Sequence, residues 1–361
     1  MKKGYFDRTI SDAIKGVALI FMFVHHFFAF PEWYVSGVGF SYLAPVTALL
    51  RWPLKICVSV FAFLTGYFFF LGRDKGYRHS LRKIRDTLVS YWMVYLPFLA
   101  LALARGCYSL GKAEMLQEAF GLGSEVMTFC WYVYFYCAVM LLLPLVDRLS
   151  TGTLWADALL LGLLPLAGFT ALRDLLPDSI LTKVATVLQE WYPCVLVGYL
   201  FAKFDLFETI LEPMGRKCAT RWGKVLLWLC LAGGVCLARA LWPRLRLMQA
   251  NVHGSWLDVP VNMDVLYAPI FLYGLKNLLE LVKWPRLLSL LGKIGRESLL
   301  MWFLHCLFFN CCKTYTQPLL YWPRLAILVL PWGLCLCYAG ARLLHFPLDR
   351  LLGRKKQKIS A

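Results

Sequence analysis

Charge is what this sequence has least of. Only 16% of its 361 residues are Asp, Glu, Lys or Arg, and just 21 are acidic, whereas a soluble chain carries about 25% charged residues. With 60% hydrophobic residues, so little charge cannot cover a water-facing surface. Internal repeats and low-complexity tracts are also missing, which excludes collagen-like, coiled-coil and disordered classes. No polar stretch exceeds roughly twenty residues, so a single membrane domain over 1–361 is expected, with no soluble domain attached. The chain holds thirteen cysteines, yet metal-ligand and redox spacings are absent: Cys311-Cys312 and Cys335-x-Cys337 match neither. Most of the others lie in apolar runs, where a free thiol behaves as a small hydrophobe. Neither a metal nor a structural disulfide is expected.

Apolar runs separated by short basic tracts fill the chain instead. A span needs about 20 mostly apolar residues, and ten segments qualify: 13–31, 54–72, 87–104, 128–145, 154–172, 185–204, 223–243, 262–282, 297–313 and 322–344. The expected fold is an all-α polytopic membrane protein with about ten transmembrane helices around a central cavity. The first segment is not read as a cleavable signal, because Lys15 lies inside it and no small-residue cleavage site closes it. The net charge of +17 would point to nucleic acid in a soluble protein. Here the cations sit at the edges of apolar segments, as anchors at an anionic leaflet do, so membrane lipid is the expected partner and nucleic acid is not. Most Lys and Arg fall on loops that share the N-terminal side, including the 73–85 tract, the 203–224 and 276–296 loops and the C-terminal tail. Both termini are therefore expected in the cytoplasm; the loop holding Arg148 is the weakest part of that count.

Ionisable residues inside a span are costly and usually face a cavity. In the first segment Lys15 and His26 are eleven positions apart. At about 100° per residue they return to within roughly 20° of one face, and at 1.5 Å rise they lie about 16 Å apart along the axis. His25 is displaced by about 80°. One wall can therefore carry a cation at the cytoplasmic end and an imidazole beyond mid-bilayer. Lys15 alone could snorkel to the interface, and a single His could be a satisfied polar residue. In the outer half, Glu190 beside Gln189, Trp191 and Tyr192, and Trp131 at the head of the fourth segment, offer aromatic faces with polar neighbours that suit sugar rings. Trp and Tyr also gather at membrane interfaces without any such role. Asp264 and Arg239 are candidates for a structural pair. Gly66, Gly198, Gly233 and Gly234 are expected to permit close helix approach.

The Lys15-Gly16 pair followed by His26 resembles the Arg/Lys-Gly-(apolar)-His motif in the first span of the integral-membrane acyltransferase-3 family, which O-acylates surface polysaccharides and related acceptors. Ser59-Val-Phe-Ala-Phe-Leu-Thr65-Gly66-Tyr67 is similar to that family's second span. Arg82-Lys83-Ile-Arg85 followed by Tyr91-Trp92, then Trp131-Tyr132-Val133, then Glu297-Ser298-Leu299 through His305, resemble its later motifs in order. Lys15 stands where Arg is commoner, Thr65 where Ser is usual and Trp302 where Tyr is usual. The resemblance implies a cytoplasmic acyl-CoA donor, with no permanently bound cofactor, and an acceptor on or near the outer face. The acceptor it implies is a hydroxyl or amine, the leading expectation being a hydroxyl of a cell-envelope glycan or its lipid-linked precursor. It implies a bacterial inner-membrane O-acyltransferase, with acetyl the expected group.

On that reading His26 is the expected general base, since imidazole titrates near neutral pH and burial keeps it unprotonated; direct attack by the acceptor is the expected route and an acyl-His intermediate the alternative. Lys15 is its expected companion, and His305, at similar depth, is a candidate neighbour. Arg82 and Arg85 are expected to bind the donor's phosphates, and Trp131 and Glu190 the acceptor. Two other classes fit the same residues: a transporter or flippase of a small amino acid, acyl group or lipid-linked sugar using the same cavity, and a structural subunit of an envelope complex.

Overall fold

The computed structural model describes residues 4–30, 33–35, 40, 54–109, 111–218, 220–250, 264–282 and 284–353, with backbone alone for 235, 236 and 238–250. Regular structure among the described residues is helical throughout. The helices are α1 (Arg8–Phe28), α2 (Ile56–Leu71), α3 (Tyr77–Ala104), α4 (Lys112–Ala119), α5 (Trp131–Leu149), α6 (Leu154–Leu175) and α7 (Ile180–Lys203). There follow α8 (Glu212–Arg216), α9 (Arg221–Ala250), α10 (Asp264–Val282), α11 (Pro285–Arg296), α12 (Ser298–His305), α13 (Lys313–Leu320) and α14 (Ala326–Leu351). Seven of them, α1, α3, α5, α6, α7, α10 and α14, are long and apolar enough to cross a membrane, and α2 and Ser298–Phe308 are shorter apolar helices. The chain is an all-α polytopic membrane protein.

Each expected segment holds a helix, and the differences have local causes. Helix α1 begins ahead of residue 13 because Asp7 caps it, its Oδ1 accepting from Ile10 N–H at 2.8 Å, which satisfies one of the orphan donors of the first turn. Helix α3 runs back from 87 to Tyr77, through Arg82, Lys83 and Arg85; Lys and Arg are good helix formers that hydropathy does not flag. In α6 a π turn at Leu159–Leu163 precedes Pro165.

The ninth segment departs most. Its helix gives way at His305 to a 3-10 turn, Cys306–Phe308, and eleven residues at 1.5 Å reach only about 16 Å of a core about 30 Å thick. Backbone freed by the break is satisfied by protein. Thr128 Oγ1 donates to the Phe309 carbonyl at 2.7 Å, and Cys311 N–H donates to the Glu125 carbonyl at 3.1 Å. Irregular backbone at membrane depth is tolerated on that condition.

Helix α1 is the most enclosed of the seven spans and α6 the least, with 72% and 11% of their apolar windows buried. Leu159, Leu163, Leu164 and Leu175 of α6, and Ile327 and Leu343 of α14, are exposed; such apolar faces belong against lipid. Two glycine-mediated crossings fix the centre. Gly16 and Gly295 bring α1 against α11, where an added Cβ would strike the Leu291 and Asp12 carbonyls. Gly66 and Gly198 likewise bring α2 against α7, at the Val195 and Phe63 carbonyls. Small residues allow this backbone approach in membranes. Gly233 and Gly234 do not share that role, since a Cβ there meets nothing within 4 Å.

Candidate active site

The face predicted for α1 exists. Ser11, Lys15, Met22 and His26 line a single cavity of about 830 Å³, and their spacings of four, seven and four residues follow one stripe of a 3.6-residue helix. Val58, Phe61, Thr65 and Phe68 of α2 form the facing wall by the same rule. Helix α3 contributes Lys83 and Thr87, α5 contributes Trp131 and Tyr136, and the junction of α11 and α12 contributes Gly295, Arg296 and Trp302. The cavity thus joins Lys15 to His26, and His25 reaches it as well.

Its two ends differ in chemistry. Around Lys15 gather Arg8, Lys83 and Arg296, with Asp12 the only carboxylate among the described lining residues. Asp12 is buried and lies 3.3 Å from Lys15 Nζ and 3.9 Å from Arg296 Nη1. Four cations against one anion make an anion-attracting mouth. Lys83 has no ion-pair partner among the described residues.

At the other end the His26 ring is held on two sides. Its Nδ1 is 2.7 Å from His305 Nε2, and Phe129 stacks on it with centroids 4.0 Å apart and planes 15° apart. His305 is fully buried, and its Nδ1 bonds the Trp302 carbonyl. A carbonyl only accepts, so His305 Nδ1 carries the hydrogen, and in the neutral ring Nε2 is left to accept. His26 Nδ1–H is then the donor between the rings, and the lone pair of His26 belongs to Nε2. Such a second partner is what sets a histidine tautomer.

Phe129 comes from the 120–130 loop, where Glu118 at the end of α4 anchors the chain by accepting from Glu125 N–H at 2.8 Å. Burial raises the Glu118 carboxyl above the usual range, against the opposing pull of the backbone N–H groups of Glu125, Val126 and Met127.

Trp131 lines the cavity. Glu190 is not among the described lining residues; it lies 3.5 Å from Nζ of Lys55, which does line the cavity and sits 5.1 Å over the Trp191 ring. His305 supports His26 from outside the cavity lining. Arg82 and Arg85 are exposed and off the cavity, Arg85 being paired with Asp86 at 2.8 Å. At about 100° per residue they point roughly 100° and 200° away from Lys83, which faces in. Asp264 is buried and accepts from Ser59 Oγ at 2.6 Å, while the Arg239 side chain lies outside the described residues. Sequence reasoning missed Lys55, Lys83 and Arg296 as cavity residues because each also reads as an interface anchor. The pair Lys83 and Thr87, one turn apart, was the available signal. Phe129 carried none.

A family model described as an acyltransferase domain, that of the acyltransferase-3 family, matches residues 9–342, nearly the whole chain. The chain belongs to the acyltransferase-3 family. Neither a curated protein nor a solved structure matches it. Membership makes this protein a membrane acyltransferase in general, and the cavity, which runs between a cationic mouth and a tautomer-fixed histidine, is the acyltransferase's candidate active site.

Proposed function

We propose that the protein transfers an acyl group, acetyl being the expected one, from cytoplasmic acyl-CoA to a hydroxyl of a cell-envelope glycan or its lipid-linked precursor. It does so in the bacterial inner membrane with both termini cytoplasmic. The observation that carries this reading is the single cavity joining Lys15 to His26. From phosphate to sulfur the donor's pantetheine arm has about thirteen bonds, and at ~3.5 Å per three bonds of extended chain it reaches roughly 15 Å. That matches the about 16 Å of helix between the two residues. Phosphates held among Lys15, Lys83 and Arg296 therefore leave the thioester beside His26. The cations act as point charges on phosphate, Arg296 with the more directional fork.

In the transfer, His26 Nε2 takes the acceptor's hydroxyl proton as the oxygen attacks the thioester carbonyl carbon. The tetrahedral adduct collapses with cleavage of the C–S bond, and the thiolate receives the proton from the imidazolium to leave as free CoA. The bond from His26 Nδ1–H to His305 becomes charge-assisted while the imidazolium exists, and such bonds are worth about 1.5–3 kcal/mol. Trp131 and Lys55, the latter paired with Glu190, would meet the acceptor at the far end.

The test is His26→Ala with acceptor acylation measured at matched protein levels. Transfer should fall by about 10²–10⁴-fold, the range of a positioned base; unchanged product removes the mechanism. Reconstituted protein given radiolabelled acetyl-CoA separates this reading from transport, since only the enzyme releases free CoA in an acceptor-dependent way.

A further inference from the structure

A second, smaller chamber of about 220 Å³ opens beside the mouth of the main cavity. Lys83, Thr87, Tyr136, Arg296 and Leu299 line both, so the two share a rim. Beyond that rim the chamber has apolar walls from Leu300 and Leu348 and polar groups from Ser90, Asp86 and Glu297. Its carboxylates are already matched. Glu297 is buried and bonds Arg342 Nη1 at 3.2 Å and His345 Nε2, and Asp86 is paired with Arg85.

These walls narrow the occupant. Another phosphate would bring further negative charge beside Asp86 and Glu297, and a lipid chain would offer no hydrogen bond to the polar side of the chamber. A neutral, flat, hydrogen-bonding ring fits both the apolar and the polar sides. The volume agrees: at ~30 Å³ per water it holds about seven waters' worth of space, enough for a purine of about ten non-hydrogen atoms. The chamber also adjoins the cations to which the proposed function assigns the donor's phosphates, and Lys83 is free to bind there.

We propose that this chamber seats the purine base of the acyl-CoA donor, with Lys83 and Arg296 holding phosphate at the shared rim and the pantetheine arm running down the main cavity. The inference rests on the acyl-CoA reading above and deepens it. The chamber makes the protein selective for a nucleotide-bearing thioester over a truncated one.

The experiment compares acetyl-CoA, acetyl-4′-phosphopantetheine and acetyl-pantetheine as donors for the purified full-length protein, and repeats the comparison with Ser90→Met and Leu348→Phe, which fill the chamber. Wild type should show the lowest KM with acetyl-CoA. Each variant should raise that KM by about tenfold, the scale of one misfit in a pocket, while the KM for acetyl-4′-phosphopantetheine moves less than twofold. Adenosine gives a readout that needs no variant: it should compete with acetyl-CoA and not with acetyl-pantetheine. Equal KM shifts for all donors, no wild-type preference for acetyl-CoA, or competition by adenosine against acetyl-pantetheine each overturn the base site while leaving acyl transfer standing. A wild type that transfers from none of the three thioesters overturns the acyl-transfer reading, and the base site with it.

Discussion

Nδ1 of His26 faces Nε2 of His305 at 2.7 Å, across two rings only 2° from parallel. With His305 Nδ1 committed to the Trp302 carbonyl, the pair has one consistent proton arrangement when both rings are neutral. It leaves His26 Nε2 as the basic nitrogen at the cavity. His305 is in this sense a positioning residue, and a glutamine in its place can still accept from His26 through its side-chain carbonyl.

His305→Ala is accordingly expected to lower kcat for acyl transfer by on the order of 10²-fold with little change in donor KM, because a base in the wrong tautomer loses its proton-transfer contribution and not its binding. His305→Gln should recover part of that loss. Steady-state kinetics on both variants decide the matter: an alanine variant with wild-type kcat, or a glutamine variant no better than alanine, removes the tautomer-setting role.

At the mouth, the geometry separates residues that composition treats alike. Lys83→Gln and Arg296→Gln should each raise the donor KM by about tenfold, and the loss should shrink at high salt because exposed charges are screened over about 8–10 Å. Arg82→Gln and Arg85→Gln should raise it less than twofold, since neither side chain lines the cavity or the chamber beside it, and a glutamine at position 85 can still hydrogen-bond Asp86. Donor titrations at two ionic strengths check this, and equal effects at all four positions would return the donor site to the exposed basic tract.

The contrast between those four cations shows what was legible. A 3.6-residue period within one helix puts Lys15 and His26 on one face whatever surrounds them, so their shared cavity could be anticipated. Which of Arg82, Lys83 and Arg85 faces inward depends on the rotation of α3 against α5 and α12, which is tertiary and leaves no periodic mark in a basic tract. The break after His305 was hidden for a similar reason: Cys306, Leu307, Phe308 and Phe309 are as apolar as any span, and it is the hydrogen bonds of Thr128 and Cys311 that permit irregular backbone there. Phe129 sits in a loop with no repeat at all, and its place against His26 follows from the Glu118 anchor and the bond from neighbouring Thr128 to the Phe309 carbonyl.

The crossing of α1 and α11 predicts a stability effect. Gly295→Ala places a Cβ against the Asp12 backbone carbonyl, which cannot yield as a flexible side chain can. Overpacking of this kind costs about 1–3 kcal/mol. Gly233→Ala, with open space around it, should be neutral or slightly stabilising, as expected for a helical glycine. Thermal unfolding in detergent compares the two, and similar melting temperatures would show that the close contact at Gly295 relaxes at no cost.

Tyr5, ahead of α1, donates through its hydroxyl to Glu212 Oε1 at 2.6 Å, and Lys224 Nζ lies 2.9 Å from Glu212 Oε2. Burial disfavours the Glu212 carboxylate, but these two partners outweigh it and hold the group below the usual glutamate range. A group whose folded pKa is depressed contributes stability above its unfolded pKa, near 4.3 for glutamate, and loses that contribution as pH falls through the lower folded value. The link between the N-terminal segment and α8 and α9 should therefore weaken below about pH 4.3 and hold above it. Glu212→Gln should remove that acid-dependent part, flattening the melting temperature between about pH 6 and pH 3.5 relative to wild type. Tyr5→Phe should lower stability at neutral pH by about 1–2 kcal/mol, the worth of a hydrogen bond to a charged group. If wild type and Glu212→Gln lose stability in parallel over that range, other carboxylates govern the acid transition and the Tyr5–Glu212–Lys224 cluster does not.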